Sequence, residues 1–117
     1  MIALGGCSSP SNQIDDALDQ AHSAVASAAS AAELADGNGL PVSSARASAS
    51  DALAELQDAE SAVSELVPPD TDEQREALAA IRTGIDALLT LQQALAAGGD
   101  LGSAREQLAA ADEELRS

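Results

Sequence analysis

Phe, Tyr and Trp are absent from all 117 residues, and the apolar content is largely Ala, with Leu and a few Ile and Val supplying volume. Aromatic side chains bring the largest buried area per residue to ordinary cores, so a chain without them must build its interior in thin layers. Such layers suit helices that approach one another closely. Ala and Leu are also strong helix formers, whereas the β-branched and aromatic residues that favour strands are scarce here. The length leaves room for one domain.

Punctuation divides the chain into four helical segments. The first is predicted from about Gln13 to Asp36, where Gly37-Asn38-Gly39 stops it and Pro41 opens the second. The second ends at Val67, because Pro68-Pro69 cannot continue a helix. Asp70 is the expected N-cap of the third, with Glu73 completing a capping-box pattern, and Gly98-Gly99 ends it. Asp100 then caps a shorter last helix reaching almost to Ser117.

Each segment carries an apolar seam spaced alternately by three and four residues, the spacing of helices packed side by side at small crossing angles. The first seam is Ile14, Leu18, Ala21, Val25, Ala28 and Ala32. The second is Ala45, Ala49, Ala52, Leu56, Ala59, Val63 and Leu66. The third is Leu78, Ile81, Ile85, Leu88 and Leu95, widened by Leu89 and Leu91. The fourth is Leu101, Ala104, Leu108, Ala111 and Leu115. Asp51, Glu55, Asp58 and Glu65 fall off the seams, on a solvated face. Short loops favour antiparallel neighbours, so the predicted fold is all-α, an Ala/Leu-rich antiparallel up-down-up-down four-helix bundle over residues 13–117. At 1.5 Å per residue its longer helices would span roughly 36–42 Å. The shorter fourth helix should leave part of the third helix's stripe uncovered near one end. Leu89 and Leu91 are therefore the expected exposed apolar surface, a place for a ligand, a partner helix or self-association.

Twenty acidic residues face five basic ones, a net charge of -15. The cations are Arg46, Arg75, Arg82, Arg105 and Arg116, spread along the chain, so nucleic acid is excluded as a partner: phosphate binding needs clustered Lys or Arg. Anionic lipid headgroups would also repel this surface. No segment approaches 18 unbroken apolar residues, which excludes a spanning helix within this sequence.

The first residues read Met1-Ile-Ala-Leu-Gly-Gly-Cys7, followed by the polar, helix-poor Ser8-Ser9-Pro10-Ser11-Asn12. Leu4-Gly5-Gly6-Cys7 resembles the lipobox of bacterial lipoproteins, in which small residues precede the scissile bond and the thiol takes a diacylglyceryl group. The resemblance implies a chain cut before Cys7 and carrying lipid, palmitate included, on that residue. Residues 1–6 would then be a signal-peptide remnant and 7–12 the lipidated Cys and its tether. Only six residues stand before Cys7, fewer than the apolar run of about 7–15 that a secretory signal needs. Either the true start lies upstream of Met1 or the motif is coincidental. The first reading is taken, because the one cysteine of the chain stands between Leu-Gly-Gly and a polar linker. Arg without Lys, beside so much Ala, suggests a high-GC Gram-positive bacterium or its phage.

Catalytic patterns are missing from the sequence. His22 shares a helix face with Asp15 and Asp19, which suggests a weak metal or proton-sensing site or, far more commonly, a surface histidine paired with carboxylates. Serines are numerous without a Gly-x-Ser-x-Gly elbow, and neither glycine cluster has the form of a phosphate loop. The expectation is a non-enzymatic protein without cofactor, anchored by lipid on the extracytoplasmic face of the cell membrane as an envelope interaction module or spacer. Its protein partner is unknown, and a thin Ala-rich bundle could also be stabilised as a homo-oligomer. Alternatives are a carrier of an apolar ligand between the helices and a phage-encoded exclusion lipoprotein.

Overall fold

The computed structural model describes residues 10–37, 39–65, 72–98 and 100–116. Four helices account for nearly all of them: α1 (Pro10–Asp36), α2 (Val42–Ser64), α3 (Asp72–Ala97) and α4 (Gly102–Arg116). The lipobox-like Leu4-Gly5-Gly6-Cys7, the expected stops at Pro68-Pro69, the expected cap Asp70 and the expected seam residue Leu66 lie outside the described residues.

The helix ends follow local chemistry. α1 begins at Pro10, three residues before the predicted Gln13. Proline's fixed φ suits the first helical position, where its missing N–H costs nothing, so Pro10, Ser11 and Asn12 belong to the helix and shorten the expected tether. At its other end the Gly39 N–H donates to the Leu34 carbonyl at 2.7 Å, the six-to-one bond of a Schellman stop. Pro41, with φ -61° and ψ 146°, precedes α2. Its carbonyl accepts from the Ser44 and Ala45 amides. Gly98 has φ 69°, a left-handed conformation that ends α3 without the steric penalty a Cβ would bring. Asp100 then acts as the expected cap, its Oδ1 accepting from the Gly102 amide at 2.9 Å.

Polar contacts between helices give the α2/α3 and α1/α4 pairs an antiparallel register. Gln20 of α1 donates to the Glu55 carbonyl of α2. Between α2 and α3, Ser50 meets Gln92, Glu60 meets Arg82 at 2.7 Å, and Val63 meets Gln74, so the residue numbers run in opposite directions. Arg105 of α4 pairs with Asp36 of α1 at 2.8 Å and approaches Glu33 at 3.7 Å, while Asp112 lies against His22. Exposed ion pairs of this kind contribute only about 0–1 kcal/mol each. Their value here is in selecting register.

The core is one continuous cluster of Ala, Leu, Ile and Val from all four helices. Every described residue of the predicted α2 and α4 seams is buried. On α1 the buried face is wider than the seam: Ala17, Ala24 and Ala31 are buried as well, and Leu18 is only partly so. The reason is position, since α1 packs against α2, α3 and α4. Helices α1 and α3 form the short diagonal of the bundle, with α2 and α4 on opposite sides and, among the described residues, without contact.

Helix α3 departs most from its predicted seam. Its buried line is Gln74, Ala77, Ile81, Gly84, Leu88, Leu91 and Leu95, an unbroken three-four alternation, while Leu78 and Ile85 sit at the margin. Gly84 is the narrow point. A Cβ placed there would lie 3.3 Å from Val25 Cγ2 and 3.4 Å from Leu56 Cδ1. The missing side chain lets α1, α2 and α3 approach at this level without displacing Val25 or Leu56. Near the start of α3, the buried Gln74 donates Nε2–H to the Val63 carbonyl at 2.7 Å, joining α3 to the last turn of α2.

Candidate functional site

Of the two leucines expected on the surface, the structure separates one from the other. Leu89 is 42% exposed. Leu91 is fully buried at 0%, which corrects the expectation of an exposed pair. Leu91 lies on the three-four line through Gly84 and Leu88, whereas Leu89 is one residue, or about 100°, around the helix. Leu89 lies in a shallow recess among Arg46, Ser50, Gln92, Gln93 and Ala96, so it is a single leucine in a polar setting.

The uncovered stripe expected beside the short α4 is also altered. At that end of α3, Ala77 and Ala80 are buried despite the brevity of α4, because small side chains sink between the helices, and Gln74 is buried against α2. What remains is a groove of about 450 Å³ between the first turns of α1 and α3 and the last turn of α4. Ile14, Leu18, Ala77 and Ala80 form its floor. Asp15 from α1, Glu73 and Glu76 from α3 and Glu114 from α4 stand around it. No single-helix pattern brings these four carboxylates together. The signal was the unequal helix length, which places the end of an antiparallel α4 against the starts of α1 and α3.

His22 has a partner that helix spacing could not supply. Its Nδ1 meets Oδ1 of Asp112 across the α1/α4 interface, rather than Asp15 or Asp19 on its own helix. Both atoms are shielded from solvent, although the side chains are 37% and 25% exposed. The contact joins α1 to α4. Among the described residues, no three His, Cys, Asp or Glu side chains converge as a metal site.

A smaller recess, of about 220 Å³, lies at the opposite end of the bundle among Ala35, Val42, Ala94, Leu95 and Leu101. No described helix is long and apolar enough to cross a membrane. No family model matches this chain, and neither a curated protein nor a solved structure is significantly similar to it.

Proposed function

We propose that this chain is a non-enzymatic lipoprotein of the extracytoplasmic membrane face, whose acidic helical bundle acts as an interaction module or spacer in the envelope. The observation that carries the reading is Leu4-Gly5-Gly6-Cys7, standing two residues before α1. Because α1 starts at Pro10, lipid on Cys7 would join a helical rod through a very short link. The molecule measures 46 × 30 × 19 Å, so a partner could be met well away from the bilayer surface. Each buried methylene of an acyl chain contributes about 0.8 kcal/mol, and two or three chains hold a protein stably. That anchorage outweighs the repulsion between a chain of net charge -15 and anionic headgroups.

The test is metabolic labelling of the full-length gene product in its native host with an alkyne-bearing palmitate. Label is expected on the wild type and lost in Cys7→Ala. A wild-type protein without label removes the anchor and the assigned location together.

A further inference from the structure

We draw no further inference here: the strongest candidate, the apolar patch of exposed Leu34 and Val42 beside the small recess at the α1/α2 turn, is an unpartnered face, and nothing in the structure shows what covers it.

Discussion

The close approach at Gly84 makes a prediction in which one substitution has two outcomes. Replacing a helical glycine by alanine ordinarily stabilises by about 0.8–1 kcal/mol. At position 84, however, the new methyl would sit 3.3 Å from Val25 Cγ2 and 3.4 Å from Leu56 Cδ1. Val25 is β-branched and fully buried, so its χ1 cannot turn aside within a helix. Overpacking of this kind costs about 1–3 kcal/mol, and a single methyl displaced by a few tenths of an ångström belongs at the lower end. Gly84→Ala alone should thus be neutral to about 2 kcal/mol destabilising. In a Val25→Ala background the obstructing methyls are gone, and the same change should stabilise by about 1 kcal/mol. The coupling between the two positions is then about 1–3 kcal/mol. With no aromatic residue for fluorescence, urea unfolding followed by circular dichroism at the helical minimum is the assay. A thermal scan should show a midpoint change of about 4 °C per kcal/mol. Additive effects, or a Gly84→Ala protein about 1 kcal/mol more stable than wild type, would refute the account of how these three helices meet.

Four further outcomes can be read in the same assay. Leu91→Ala should cost about 2–5 kcal/mol and Leu89→Ala less than about 1, which checks the register of α3 directly. Gln74→Ala removes the inter-helix hydrogen bond to the Val63 carbonyl and should cost about 0.5–1.5 kcal/mol. His22→Ala and Asp112→Ala should each be mild, with a double-mutant coupling of about 1 kcal/mol or less; strict additivity would show that the pair contributes nothing. Asp100→Ala removes the cap of α4 and should cost about 1 kcal/mol, with the loss of helical signal concentrated in the shortest helix when amide exchange is followed.

The bundle was legible where apolar residues alone mark the packed line. On α2 and α4 that line is spelled entirely in Ala, Leu and Val, and the described residues match it position by position. On α3 the packed line passes through Gln74 and Gly84, neither of which an apolar pattern selects. The predicted stripe therefore slid onto Leu78 and Ile85, and Leu91 was placed on the wrong side of the surface. The extra burial of Ala17, Ala24 and Ala31 depends on α1 touching all three other helices, a property of the assembly that its own periodicity does not contain. For the same reason His22 and Asp112 were unpaired in the sequence. Their meeting, like the gathering of Asp15, Glu73, Glu76 and Glu114, is a product of loop lengths and helix direction.

Because the described residues of α2 and α4 do not pack against each other, the molecule has a natural order of disassembly. Detaching α4 breaks its seams with α1 and α3 and leaves the α1–α2–α3 junction at Gly84 closed. A partial opening of this sort would expose Leu101, Leu108 and Leu115 while most of the protein stayed folded, a separate cooperative unit of lower stability. The hinge for that excursion is already present in Gly98, whose left-handed backbone turns the chain from one helix to the next.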